Sequence, residues 1–214
     1  MRENPVETIE YRGFNINIYY DSDPINPRAE WDNFGAMVCF HSRYNLGDNH
    51  DFSSPEDFEE FAKENKLIIL PLYLYDHSGI TISTGPFSCP WDSGQVGWFY
   101  VEEEKAKKEW GWKVLTKERR EKIVKYLEGE VEVYDQYLTG QVYGYIIEPK
   151  DENSKIECDD SCWGFYGYDH NKNGLLDYAK PSIDYAIKDY KERVSKEKKE
   201  RVQMNTFFNS CWAY

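Results

Sequence analysis

This sequence predicts an α+β fold, a largely antiparallel sheet with three or four helices packed on it. Three observations lead there. Apolar and polar residues alternate with period two over short stretches, among them 14–20, 80–83 and 96–101. Two longer stretches, 116–138 and 181–194, carry apolar residues at helical spacing instead. The strands cluster along the chain rather than alternating strictly with helices, as α+β requires. A length of 214 residues suits a single domain, 1–214, with a charged C-terminal helix from about residue 181 to 203.

Residues 6–20 read as a hairpin: Phe14, Ile16, Ile18 and Tyr20 alternate with Asn15, Asn17 and Tyr19 after a turn at Arg12 and Gly13. Residues 21–33 hold Pro24 and Pro27 among Asp, Ser and Asn, which is loop chemistry. A short apolar strand spans 36–41. Ser54, Pro55, Glu56 and Asp57 then supply a cap, a first-turn proline and acidic residues facing the helix dipole, so a helix runs over 55–65 with Phe58, Phe61 and Ala62 inward. The apolar run 67–75 is the central strand, and Pro71 forces a bulge or an edge position in it. With 80–83 and 96–101 it forms three strands joined by Gly- and Pro-rich turns, expected as a meander.

A short charged helix over 102–109 pairs Glu103 with Lys107 and Glu104 with Lys108. Thr116 caps a longer helix whose stripe is Ile123, Leu127, Val131, Tyr134 and Leu138, and Gly140 ends it. Strands follow at 141–147 and 161–168. Pro181 is expected to open the last helix, with Ile183, Ala186, Ile187, Tyr190 and Val194 along one side.

Charge narrows the function. The chain has 26 basic and 39 acidic residues, net −13, which opposes direct binding to nucleic acid because phosphates must be neutralised by Lys and Arg. The same field attracts a basic surface, and a nucleic-acid-binding protein commonly owns one. Aromatic residues make up 17 % of the chain, more ring surface than a core of this size needs, so some rings are expected at the surface for contact. Five Cys follow no disulfide framework and are expected as reduced thiols in a cytoplasm. The N-terminal residues lead into no apolar segment, and no run approaches the ~18–20 apolar residues of a membrane span. No cofactor or metal is expected.

Candidate chemistry gathers at 76–92. A thiol nucleophile needs a base in hydrogen-bond reach and a third group to orient that base; Cys89, His77 and Asp76 or Asp92 supply those types. Asp76, Ser78 and Gly79 are equally ordinary turn residues. Cys39 and His41 form a metal-binding pair, half of a tetrahedral site that Cys89, His77 or the Cys158 and Cys162 pair would have to complete. Asp169-His170-Asn171-Lys172-Asn173-Gly174 follows the first half of a calcium loop, but Lys180 stands where a bidentate Glu should close it. The acidic residues Asp48, Asp51, Glu56, Asp57, Glu59, Glu60 and Glu64 form one block, and Glu128, Glu130, Glu132 and Asp135 another. Each reads either as a solvated face or as a surface that imitates the charge of nucleic acid.

At WDNFGAMVCFHSRYNLGD (31–48), PLYLYDHSGI (71–80), FSCPWDSGQVG (87–97) and SCWGFYG (161–167) the chain resembles a family of uncharacterised accessory proteins of bacteriophages, plasmids and integrative elements, chiefly of Gram-positive bacteria. The resemblance covers about residues 30–178. It implies a setting rather than an activity, since no catalytic residue is carried over: such proteins often bind and antagonise a restriction or CRISPR nuclease or another host defence protein. The leading expectation is therefore a protein that binds a host defence or nucleic-acid-processing protein through an acidic, aromatic-rich surface, with the block Asp48 to Glu64 as partner-binding residues. Two alternatives stand beside it: a cysteine-dependent hydrolase or transferase using Cys89, His77 and Asp76 or Asp92, and a ligand-binding module with exposed aromatics.

Overall fold

The computed structural model describes residues 4–151 and 153–211 and is α+β, with two antiparallel sheets and five helices among them. In chain order these are β1 (Glu7–Tyr11), β2 (Phe14–Tyr20), α1 (Pro27–Glu30), β3 (Ala36–Cys39), α2 (Pro55–Glu64), β4 (Leu67–Asp76) and β5 (Ile80–Ser83). Then follow β6 (Ser93–Glu102), α3 (Glu103–Glu109), α4 (Lys117–Leu138), β7 (Val142–Pro149), β8 (Ser161–Tyr166) and α5 (Leu175–Cys211). The chain divides into two compact units, Met1–Ser22 with Tyr143–Tyr214, and Asp23–Val142.

The first unit holds a sheet in the order β1-β2-β7-β8. The β1–β2 hairpin closes through Arg12 and Gly13, both at positive φ (50° and 88°), the two-residue turn whose twist matches that of the strands. Phe14, Ile16 and Ile18 of β2 and Tyr143, Tyr145 and Ile147 of β7 pack with Leu175, Ala179, Ile183 and Ile187 of α5. Asn17 breaks the alternation by being buried; it accepts from Thr8 Oγ1 at 2.8 Å and donates to Glu148 Oε2 at 2.9 Å, so its burial leaves the amide paired.

Helix α5 starts at Leu175 rather than at Pro181, which lies inside it. Leu175, Ala179, Ile183 and Ile187 lie four residues apart and are all buried, a row that continues across the proline. Burying one Leu or Ile is worth about 1.5–3 kcal/mol, against about 3 kcal/mol for a proline in a helix, so the row outweighs the break. Asn173 also favours the earlier start, its Oδ1 accepting from the Leu175 N–H at 3.0 Å.

His170 is buried in this unit, edge-on to Tyr143 with ring centroids 4.8 Å apart and 3.6 Å from Glu7. Burial lowers its pKa from the usual 6.5, with Glu7 and then Asp169 opposing the shift. A lowered folded-state value means that the unfolded chain takes the proton more readily. Stability held above about pH 6.5 is therefore lost as pH falls through the folded-state value. The unfolding midpoint is expected to drop on acidification below that pH, and His170→Gln to flatten the drop; a His170→Gln chain with an unchanged pH profile would show that His170 is not its source.

The second unit holds a sheet in the order β3-β6-β4-β5. The strands do not form the expected meander, because β6 passes over β5 and pairs with β4 over Leu67↔Glu102 to Tyr75↔Ser93. Period-two patterning marks a strand but not its neighbour; the long apolar β4 gains most by being flanked on both sides. The bulge falls at Leu72/Tyr73, beside Pro71, and β5 covers only Tyr73 to Asp76. The missing N–H of Pro71 thus lies where β4 has one open side. Gly97 is required on β6: a Cβ there would stand 1.9 Å from the Val38 carbonyl oxygen of β3.

Helix α4 follows its predicted stripe, with Ile123, Leu127, Val131 and Tyr134 buried, and packs on β5 and β4. In α3 the expected i,i+4 pairs are replaced: Lys107 pairs with Glu104, and Glu103 turns to Arg120 of α4 at 2.5 Å. The segment 21–33 contains a helix where only loop was expected. Asn26 caps the single turn α1 by accepting from the Arg28 N–H at 2.9 Å, with Pro27 behind it.

That turn delivers Arg28 into the interior, where its side chain is 1 % exposed. Nε and Nη2 donate to the two oxygens of Asp48 at 2.7 and 2.6 Å, Nη1 to Glu130 Oε2 at 3.0 Å, and Nη2 also to the Gly35 carbonyl at 2.9 Å. Glu130 accepts from the Phe34 N–H at 2.9 Å, and Asp48 from the Met37 N–H at 2.9 Å. Arg28→Met strips both carboxylates of their cation and is expected to cost about 3–5 kcal/mol in urea unfolding. A loss below about 1 kcal/mol would place the ion cluster in the class of surface pairs.

Candidate functional site

The sequence candidates near Cys89 converge in part. The turn after β5 carries Cys89 and Asp92, and the end of β4 carries Asp76 and the following His77. Asp92 is held to β4 by the Asp76 N–H, which donates to the Asp92 carbonyl at 2.8 Å. Cys89 Sγ donates to Asp92 Oδ2 at 3.7 Å, and His77 Nδ1 lies 3.3 Å from the same oxygen. Asp92 thus stands as the shared partner of thiol and imidazole, whereas a thiol enzyme needs the imidazole against the sulfur. Asp76 is not part of the group: it is engaged by Arg43 and by Tyr44 Oη, the latter at 3.3 Å. His77 also stacks on Tyr75, and Tyr75 meets Phe87 in a tilted contact, which gives this turn a packing role.

The proposed half-site of Cys39 and His41 is occupied by other contacts. His41 Nδ1 accepts from the N–H groups of Arg43 and Tyr44 at 3.3 and 3.2 Å, closing the turn after β3. Cys39 is buried, and burial pushes its thiol up to about 12, with Asp48 adding to the shift and Arg28 opposing it. Among the described residues no group of three or more His, Cys, Asp or Glu is placed to hold a metal ion. In the calcium-like stretch Asp169 pairs with Lys172 at 2.9 Å, accepts from the Asn171 N–H at 3.2 Å, and leads into α5.

The acidic block divides sharply. Asp48 belongs to the interior, bound by Arg28, and Asp57 belongs to a helix cap: Ser54 Oγ accepts from the Asp57 N–H at 3.2 Å while Asp57 Oδ2 accepts from the Ser53 N–H at 3.1 Å. Asp51, Glu56, Glu59, Glu60 and Glu64 are exposed. On α2 the buried side is Phe58, stacked on Trp98 at 4.9 Å and near Tyr100, so amphipathicity turns four glutamates to water with Lys63 the only cation among them. The second block divides likewise. Glu130 and Asp135 face inward, Asp135 accepting from Thr81 Oγ1 at 2.6 Å and from the Ile82 N–H at 2.8 Å, while Glu128 and Glu132 are exposed.

Exposed rings are present as the composition implied. Trp91, in the same turn as Cys89, is 91 % exposed, and Trp31, Tyr126, Trp163, Tyr168, Tyr178 and Tyr185 are also at the surface. Which rings face out was not legible for those, such as Trp31, Trp163 and Tyr185, that sit within a few residues of buried ones. No protein-family model matches this chain, and no curated protein or solved structure matches it significantly.

The thiols should differ in reactivity. With its pKa near 12 and its side chain enclosed, Cys39 holds only about 10⁻⁴ of its population as thiolate at pH 8. Mass spectrometry after iodoacetamide treatment is expected to find Cys39 unmodified in the folded chain and modified in urea. Labelling of Cys39 at the same rate in the folded chain as in urea would contradict its enclosure.

Proposed function

We propose that this chain is an accessory protein of a mobile genetic element that binds a host defence or nucleic-acid-processing protein and antagonises it. The observation that carries this reading is the solvent face of α2. Glu56, Glu60 and Glu64 follow one another at one-turn intervals, with Glu59 beside them. Four carboxylates over 56–64 occupy about 12 Å of helix axis, one per ~4 Å, against one phosphate per ~3.4 Å along a DNA strand. A surface that accepts nucleic acid meets a comparable density of negative charge here, on a rigid element. The net charge of −13 adds a long-range field of the same sign. The resemblance to accessory proteins of phages, plasmids and integrative elements supplies the biological setting.

The partner-binding set is Asp51, Glu56, Glu59, Glu60 and Glu64. Asp48 leaves it because Arg28 binds both of its oxygens, and Asp57, although exposed, is set apart because its Oδ2 serves the α2 cap. Attraction through these exposed carboxylates is screened as the Debye length shortens from ~10 Å at 0.1 M salt to ~3 Å at 1 M.

The test is capture and protection in a Gram-positive host. A tagged chain is expected to retain a defence or nucleic-acid-binding protein at low salt and release it as salt rises, and to protect incoming phage or plasmid DNA. Replacing Glu56, Glu59, Glu60 and Glu64 together by Gln keeps helix propensity and is expected to abolish both effects. Undiminished capture and protection by the quadruple variant would sink the α2 assignment, and failure to protect against any defence system of the host would sink the function.

A further inference from the structure

The net charge of −13 is unevenly shared along the chain. Residues 191–214 hold six basic and three acidic residues, net +3, whereas 1–190 hold 20 and 36, net −16. The basic part is the far end of α5. Val194 is half-buried, and every residue from 195 to 205 is exposed. A helical stretch this short is marginal in water on its own, and here it draws no support from packing. Ion pairs add little. Lys188 lies 3.9 Å from Glu192 and Arg193 lies 3.0 Å from Asp189, and beyond Arg193 no ion pair forms along α5 among the described residues.

Lys191, Lys196 and Lys199 share one side of the helix, where with Glu192 and Ser195 they line a shallow recess of about 370 Å³. Glu192 is the single carboxylate in that lining, and Lys188 stands against it. Lys191 and Lys199 are two turns apart, about 12 Å along the axis, with Lys196 between them. The solvent face of α2 repeats that spacing with the opposite sign. Glu56 and Glu64 are also about 12 Å apart, with Glu59 and Glu60 between them. All four are exposed and enter no ion pair among the described residues.

We propose that the basic side of α5 docks on the acidic face of α2 in a second copy of this chain. Matched span and opposite charge select that occupant. The other basic run, 105–125, is a poorer match because its cations are engaged locally: Lys107 pairs with Glu104, Lys117 with Glu121 and Arg120 with Glu103, while Arg119 and Lys122 lie over the ring of Trp112. Like net charges on two copies oppose the contact. The Debye length of ~8 Å at 0.15 M salt screens charges spread across a unit far more than side chains that face each other directly. A nucleic acid meets the same repulsion and offers one kind of surface, whereas each copy carries both, so two copies can join reciprocally. The inference uses the exposure and charge of α2 and not its proposed host partner. Its consequence is that self-association covers the glutamates a host protein would need.

The experiment is sedimentation velocity of the purified full chain at about 0.1 M salt, from about 5 to 500 µM. Surface ion pairs are individually weak, so the expected dissociation constant is on the order of 100 µM. Glu56→Lys, Glu60→Lys and Glu64→Lys together, or Lys191→Glu, Lys196→Glu and Lys199→Glu together, should each weaken self-association about tenfold or more; both exchanges keep good helix formers. Mixing the two variants should restore it, because each then offers the other an opposite surface, and a variant that failed to fold would restore nothing. Lys113→Glu, Lys117→Glu and Lys122→Glu together change the net charge as much as the α5 variant does and should leave the constant within about twofold. The proposal is overturned by a chain that stays monomeric up to about 500 µM, by an α5 variant that associates like the parent, by a mixture no stronger than either variant alone, or by a 113/117/122 variant that weakens association as much as the α5 variant. The α5 variant keeps α2 intact and should retain a host protein as the parent does, so failure of self-association and failure of host binding are read in separate assays.

Discussion

The second unit depends on one buried cation. Arg28 comes from a helix of a single turn that has little stability alone, and its guanidinium reaches Asp48 across 20 residues and Glu130 across 102. Taking three charges out of water costs several kcal/mol for each before any gain, so the cluster is not a simple source of stability. What it supplies is a unique arrangement. Four N–H···O contacts from one rigid fork are satisfied only when α1, the residues before β3, the loop at Asp48 and α4 lie in one geometry. Each carboxylate also holds backbone: Glu130 the N–H of Phe34, Asp48 that of Met37.

Neighbouring features follow from that geometry. Met37 returns its carbonyl to the Asp48 N–H at 2.9 Å, and Gly47, at φ 73°, brings the loop so close that a Cβ would lie 2.6 Å from the Met37 carbonyl oxygen. The Gly47 N–H donates to Tyr134 Oη at 3.0 Å, tying the same loop to α4, and burial raises the pKa of that phenol. Cys39 lies under this loop, which is why its thiol is enclosed. Glu130, held by Arg28 and the Phe34 N–H, also lines a groove of about 370 Å³ beside α1, so that wall is positioned by the interior ion cluster.

Local chemistry was legible where a few adjacent residues decide the outcome. The Arg12-Gly13 turn, the Ser54 to Asp57 cap, the Thr116 cap and the stripe of α4 were readable because each depends on spacing within one segment. Pairing order was not. The period-two pattern of β5 and β6 is the same whether they pair with each other or with opposite sides of β4, and only burial of the apolar β4 between them discriminates. The Asn26-Pro27 pair, a cap followed by a first-turn proline, was the available signal for α1. It was masked by the surrounding turn residues. Pro181 misled in the opposite sense, since a proline reads as a helix start unless the buried row on either side of it is seen to continue.

The acidic residues mark the boundary between what the sequence determined and what the tertiary structure decided. Sequence alone determined the α+β class, the sign and size of the net charge, and an amphipathic α2 whose glutamates must face away from Phe58. It also brought Cys89, Asp92 and His77 into one turn region, because they are close along the chain. Only the tertiary structure distinguished Asp48 from Asp51, or Glu130 from Glu128 and Glu132, which are indistinguishable as letters. A carboxylate's role is set by whether a donor from a distant segment replaces its water, and Arg28 does so for two of them. Likewise the thiol, imidazole and carboxylate near Cys89 were adjacent in sequence, but their hydrogen bonds, with Asp92 between the other two, were decided by how β4 and β6 pair.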